Sequence, residues 1–309
     1  MSARIGFGTG GLLRITSARR RQDTLAAALA SGITHFDTAP LYGFGESERA
    51  LGRFLRGRRT KVTITTKFGL QASALAARLV VLQGMARRAI ELFPALRRAA
   101  VHNSGALQRP PTFSRAAAAA SLEKSLRALR TEYVDFFLAH QASLDALPDE
   151  ELVGWLDDMR RAGKILAFGV ATDFQWLLPV LQARPRLSRV VQFDSDLTQR
   201  YVDKILADTV AGDAITGDTV TGADRTVITY GFIARSIASC RERVPTFDRV
   251  STDEIGGLLL RAAALANPNG IVLMQSRSAA RIESNVRAAT SPHQDDRVRE
   301  LVRLLGSAS

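Results

Sequence analysis

Eight short apolar or β-branched runs punctuate the chain, and stretches with helical spacing lie between them. The runs fall near residues 4–9 (RIGFGT), 33–37 (ITHFD), 62–67 (VTITTK), 134–140 (VDFFLAH), 167–172 (AFGVAT), 190–194 (VVQFD), 226–230 (TVITY) and 270–274 (GIVLM). Helical signals include residues 23–30, ending at Gly32, and residues 114–129, where Leu122, Leu126 and Leu129 share one face. Strands alternating with helices predict a parallel sheet, and eight of them predict a closed (β/α)8 TIM barrel. A length of 309 residues would also allow two domains, but the unbroken rhythm favours one barrel over residues 1–309. In such a barrel, chemistry collects where the strands end and the βα loops converge. The polar residues closing each strand are therefore the candidates.

Two segments break the rhythm. Residues 70–112, between the third and fourth strands, form a long insertion with an apolar, arginine-rich stretch at 75–101, expected to be an extra helix on the barrel, with a mobile lid or a membrane-surface helix as the functional alternatives. Residues 207–225, rich in Thr, Gly and Asp, are expected to replace part of the sixth helix with loop.

The net charge is +12, and with only five lysines the excess is arginine. The arginines are spread along the chain, aromatics make up only 6%, and no RNA-binding or zinc-finger signature is present, so nucleic acid is not an expected partner. An attraction for small phosphate-bearing molecules fits better. The lone Cys240 excludes an intrachain disulfide framework. Neither a membrane span nor a leader is read from the sequence, and a cytoplasmic location is expected.

Gly6-Phe7-Gly8-Thr9-Gly10-Gly11 matches GxGxxG literally. The dinucleotide fingerprint requires a full strand before the first glycine and a helix opening within the loop, whereas only five residues precede Gly6 and Leu12–Thr16 intervene. These glycines are instead expected to let the backbone pass close to a ligand at the mouth of the first strand.

The most informative stretch is GITHFDTAPLYG (32–43), continuing FGESERALG (44–52). In a strand, residues two apart share a face, so His35 and Asp37 point into the barrel while Phe36 faces the helices. A carboxylate buried at the rim requires a partner, and Lys67, ending the next strand, is the natural one. A free tyrosine has a pKa of about 10, so Tyr42 needs a nearby cation to exchange protons at neutral pH. One ammonium at about 4 Å and an effective dielectric of about 20 supplies at most about 4 kcal/mol, or about three pKa units, before Asp37 subtracts from it. His140, ending the fourth strand, is placed to hydrogen-bond a carbonyl oxygen held against Tyr42. A metal-hydrolase barrel would want a second histidine beside His35, and positions 33 and 37 hold Ile and Asp. Nucleophilic catalysis lacks a G-x-S-x-G turn.

This wording, with Thr66-Lys67, Asp135–His140 and the Ser276-Arg277-Ser278, Arg281 and Asn285 pattern after the eighth strand, resembles the aldo-keto reductases. Within them it looks most like the bacterial branch that includes aldose dehydrogenases. The resemblance implies a catalytic tetrad of Asp37, Tyr42, Lys67 and His140, and no metal. It implies a nicotinamide dinucleotide as hydride donor and an aldehyde, ketone or sugar lactol as substrate. Tyr230 matches the aromatic that stacks on the nicotinamide, and Gln192 a residue that binds its carboxamide, with Thr172, Asp37, Thr9 and Gly10 nearby. Ser276, Arg277, Arg281 and Asn285 match the adenosine end, where arginines suit a 2′-phosphate and so favour NADP(H) over NAD(H).

Two departures stand out. The family's usual Gly-Val-Ser-Asn reads Gly169-Val170-Ala171-Thr172 here, and its Tyr-Ser-Pro-Leu reads Tyr230-Gly231-Phe232-Ile233. They leave open a barrel that has lost its cofactor; a cofactor-binding regulatory barrel is a separate further reading, against which the intact tetrad argues.

Overall fold

The computed structural model describes residues 4–70, 111–195, 197, 199–207, 224–243 and 249–306. In chain order the described elements are β1 (Arg4–Gly8), α1 (Ala18–Ala30), β2 (His35–Asp37), α2 (Glu46–Phe54), β3 (Thr63–Phe68), α3 (Arg115–Leu129) and β4 (Val134–His140). They continue with α4 (Glu150–Arg161), β5 (Ile165–Ala171), α5 (Phe174–Ala183), β6 (Val190–Asp194), α6 (Tyr201–Ala207) and β7 (Thr226–Tyr230). The last are α7 (Phe232–Arg243), α8 (Thr252–Ala266), β8 (Ile271–Met274), α9 (Ala279–Thr290) and α10 (Asp295–Gly306). All eight strands pair in parallel, in sequence order, and β8 closes on β1.

The barrel is held by strands that are largely apolar toward the helices all round and, from β4 to β8, toward the interior as well, whereas β2 and β3 turn His35, Asp37, Thr65 and Lys67 inward. Phe136, Leu138, Ala171, Val190, Ile228, Ile271 and Leu273 fill the interior. Residues one position away, such as Phe36, Phe137 and Val191, join the larger core beneath the helices. The alternation in β2 is as expected: His35 lies against the interior Phe136, with ring centroids 5.8 Å apart, while Phe36 packs on Phe54 of α2.

Gly6 is an interior packing glycine rather than a ligand contact, because a Cβ there would fall 2.7 Å from Leu273 and 2.9 Å from Ile271. Helix α1 begins five residues earlier than the sequence reading, capped by Ser17, whose side chain accepts from the Arg20 backbone N–H. The insertion helix, the lid and most of the 207–225 tract lie outside the described residues; at the edge of the tract, Arg225 is buried and donates to the Ile205 carbonyl at 2.6 Å.

Candidate active site

The register brings Gly8, Asp37, Thr65 and Phe136 to neighbouring positions, so Asp37, Lys67 and His140 all sit at the C-terminal rim. Asp37 and Lys67 are each 2% exposed, and the Lys67 Nζ donates to both carboxylate oxygens, at 2.8 and 2.7 Å. It also donates to the Thr38 carbonyl at 3.0 Å and makes a long contact of 3.5 Å with the Tyr42 Oη. Gln192, from β6 on the far side of the barrel, donates its Nε2 proton to the Asp37 Oδ2 at 3.0 Å. The carboxylate is therefore held by an ammonium and an amide, as a buried charge requires.

Tyr42 is delivered by a turn with little freedom. Gly43, Phe44 and Gly45 all have positive φ (55°, 59° and 87°), and a Cβ on Gly43 would fall 1.9 Å from Leu13. The Tyr42 ring meets the His140 ring edge-on, with centroids 6.3 Å apart and planes at 87°, and the Lys67 Nζ lies 5.0 Å from the Tyr42 centroid.

Burial pushes the Tyr42 phenol above its ordinary pKa; the Lys67 cation pulls it down, but Asp37 partly cancels that pull. This corrects the expectation of a lowered pKa: burial outweighs the ammonium, whose pull the Asp37 carboxylate partly cancels. Burial also works against the Lys67 charge, yet the Asp37 carboxylate and Tyr42 outweigh it and raise the lysine above its usual value. His140 is pushed down to about 3 by burial, with Lys67 adding to the effect, so its imidazole is neutral at physiological pH. His35 is likewise pushed down to about 3 by burial and by Arg4 and Lys67.

A cavity of about 290 Å³ opens over these groups, and Gly10, Thr172, Gln192 and Tyr230 join the tetrad in lining it. A second cavity of about 490 Å³ holds Ser276, Arg277, Arg281 and also Arg20. The two share Gly8, Gly11, Arg14 and Gln275, so they form one groove, bridged by a 3.0 Å bond from the Gly11 N–H to the Gln275 Oε1.

Several expected contacts are placed differently. Thr9 is fully buried outside the cavity lining, and both its N–H and its hydroxyl donate to the Asp37 carbonyl, at 2.9 and 3.0 Å. The Thr172 hydroxyl donates to the Ala142 carbonyl at 2.7 Å. Arg281 lines the second cavity but pairs with Asp253 at 2.7 Å, and Asn285 is buried behind the lining. Arg14, Arg20, Gln141 and Gln275 were missed by sequence reasoning. Of these, Arg14, Gln141 and Gln275 carried a signal, since each follows a strand whose other exit residues were already candidates.

The aldo/keto reductase family model matches residues 4–181, over half of the chain, and the chain belongs to that family. It is 30% identical over 176 residues to the aldo-keto reductase YhdN of Bacillus subtilis, a match that takes in 55% of this chain and 43% of that protein. It is 33% identical over 172 residues to the 6-dehydroglucose reductase of Agrobacterium fabrum, across 54% of this chain and 48% of that one. The matched stretch thus spans less than half the length of these curated relatives. Its fold is like that of an aldo-keto reductase from Klebsiella pneumoniae solved in complex with NADPH, with a TM-score of 0.62 at 18% identity, covering 99% of this chain and 96% of that one. Among the described residues, no helix is long and apolar enough to cross a membrane, and no cluster of three or more His, Cys, Asp or Glu could hold a metal ion.

Proposed function

We propose that this protein is an NADP(H)-dependent reductase of small aldehydes, ketones or sugar lactols, built on one barrel and working in the cytoplasm, where Cys240 would stay reduced. The observation that carries the reading is the Asp37–Lys67–Tyr42 chain, closed within 3.5 Å, with the His140 ring against Tyr42.

The groove suits a nicotinamide dinucleotide. Among the described residues, the Gln192 Oε1 is a buried acceptor with no partner in the cavity beside Tyr42, and a carboxamide N–H would satisfy it. Thr172, whose hydroxyl proton is engaged, can offer a lone pair to the same group. Tyr230 would face the ring. Ser276, Arg277 and Arg281 would meet the adenosine end, with Arg277 toward the 2′-phosphate. Bound there, the nicotinamide supplies the hydride.

The chain's own residues supply the rest. Tyr42, kept protonated by burial, donates its phenolic proton to the carbonyl oxygen as charge develops on it. Lys67, protonated and fixed by Asp37, stabilises the phenolate left behind. The neutral His140 orients the carbonyl against Tyr42. A phenol that is protonated at neutral pH is in the form that carbonyl reduction requires.

The test is a calorimetric titration with NADPH and NADH, followed by turnover on a panel of aldehydes and sugars. Tyr42→Phe is expected to cut kcat by at least about 100-fold while leaving NADPH affinity nearly unchanged. Absence of binding by the wild-type protein to either dinucleotide would end this reading and favour a barrel that has lost its cofactor through the changes at Ala171 and Thr172.

A further inference from the structure

We infer that Glu48 is a positioning residue for carbonyl reduction: it ties the helix that follows the Tyr42 turn to the strand that carries Lys67, and so sets the gap between phenol and ammonium. The inference rests on the reductase reading of the site.

The Tyr42 turn is a difficult piece of chain to hold. Between β2 and α2 the backbone passes through three successive positive φ angles, and one of them is at Phe44, where a side chain disfavours that conformation. Such a backbone persists only where its surroundings fix it. The incoming end is held by the sheet, since the Thr38 N–H donates to the Thr65 carbonyl at 2.8 Å. The outgoing end is held by two fully buried polar side chains in the first turn of α2. The Ser47 hydroxyl donates to the carbonyl of Thr9, just after β1, at 3.2 Å, and the Glu48 Oε1 accepts from the Thr66 hydroxyl, on β3, at 2.7 Å. Helix α2 is thereby pinned to the strands on both sides of β2.

Of the two anchors, Glu48 bears on the reacting pair. Thr66 faces the helices and Lys67, the next residue, faces the interior, so a bond to Thr66 fixes the carrier of Tyr42 against the carrier of Lys67. The contact that depends on it is the 3.5 Å approach of the Lys67 Nζ to the Tyr42 Oη. A phenol displaced from the ammonium gains less from it when a phenolate forms. Packing alone does not account for a carboxyl here. Burial raises Glu48 above its ordinary pKa, against the pull of the Thr66 and Ser125 hydroxyls and of the Lys124 and Lys67 charges. An apolar side chain would fill the same space without that desolvation. What it would lack is the bond to Thr66.

The test is steady-state kinetics of the wild-type protein, Glu48→Met, Thr66→Val, the double variant and Glu48→Gln on the best substrate of the aldehyde and sugar panel, with NADPH titrations and melting temperatures for each. Glu48→Met and Thr66→Val are each expected to lower kcat on the order of tenfold, with KM and NADPH affinity within about twofold of the wild type. The double variant should lose no more than the worse single one, because both changes remove the same bond. Glu48→Gln keeps an acceptor for the Thr66 hydroxyl and should recover most of kcat. Should Glu48→Met fail to fold, the near-isosteric Thr66→Val and its comparison with Glu48→Gln carry the test. If melting temperatures fall while kcat holds at the wild-type value, or if the loss appears in KM or NADPH affinity instead, Glu48 does not position Tyr42 and the inference is wrong while the reductase reading stands. A wild-type protein that reduces no member of the panel removes both.

Discussion

At Tyr42 two opposing influences meet, and their balance sets how a reductase of this kind would respond to pH. Burial keeps the phenol protonated beyond its ordinary range, and His140 is neutral down to about pH 3. For carbonyl reduction, kcat/KM is therefore expected to be flat from about pH 5 to 8 and to decline only once the phenol ionises, above its usual pKa of about 10. A step near pH 6.5 in the rate profile would contradict a neutral His140. The carboxylate beneath gives a second prediction. Asp37→Asn leaves the Lys67 ammonium buried without a counter-charge and should destabilise the fold by about 3–5 kcal/mol, read from urea denaturation. The Asp37–Lys67 pair was legible in the sequence because both residues end strands and the period of two fixes the face of Asp37. The Gln192 amide on Asp37 was not, since it crosses the barrel and depends on how far the interior narrows. Nor was the direction of the Tyr42 shift, which depends on burial that no local pattern records.

Among the elements, α2 and α3 approach so closely that Gly52 has no room for a methyl group: a Cβ would lie 2.3 Å from the Ala128 carbonyl oxygen. Gly52→Ala should force the helices apart at a cost of about 1–3 kcal/mol. Gly154, inside α4, meets nothing within 4 Å, so Gly154→Ala should be neutral or stabilising by up to about 1 kcal/mol from helix propensity. Denaturation midpoints of the two variants should move apart; a shared shift would mean that the helix contact is looser than this. Strands were the more readable elements, with the fourth, sixth and seventh matching residue for residue, because β-branched and aromatic runs between turn residues are a strong local signal. The start of α1 was missed because its first turn, Ala18-Arg19-Arg20-Arg21, shows no apolar period. The cap at Ser17 was the available clue.

For the molecule as a whole, the buried His35 and the half-buried His140 make stability depend on pH. His35 and His140 are held near 3, whereas in the unfolded chain each would titrate near its ordinary 6.5. As pH falls below 6.5 the unfolded state takes up protons that the folded state refuses, so each histidine removes about 1.4 kcal/mol of stability per pH unit until about pH 3. Urea midpoints at pH 7.0 and 5.5 should differ accordingly, and coincident midpoints would mean that neither ring is buried and neutral. The barrel itself was legible because eight runs in one rhythm leave few other topologies. The join between the two cavities was not, because it depends on which loops face each other after closure.

That closure bears on how such a site comes into being. Asp37, Lys67 and His140 lie at the ends of β2, β3 and β4 and Tyr42 in the turn after β2, yet the Asp37 carboxylate also draws on Gln192 of β6. A nascent chain that has emerged only through β4 already holds every side chain of the quartet, while its central anion still lacks one of the donors that fix it. The first four strands therefore do not complete the site by themselves: its central anion has its full set of donors only once β6 has joined the ring.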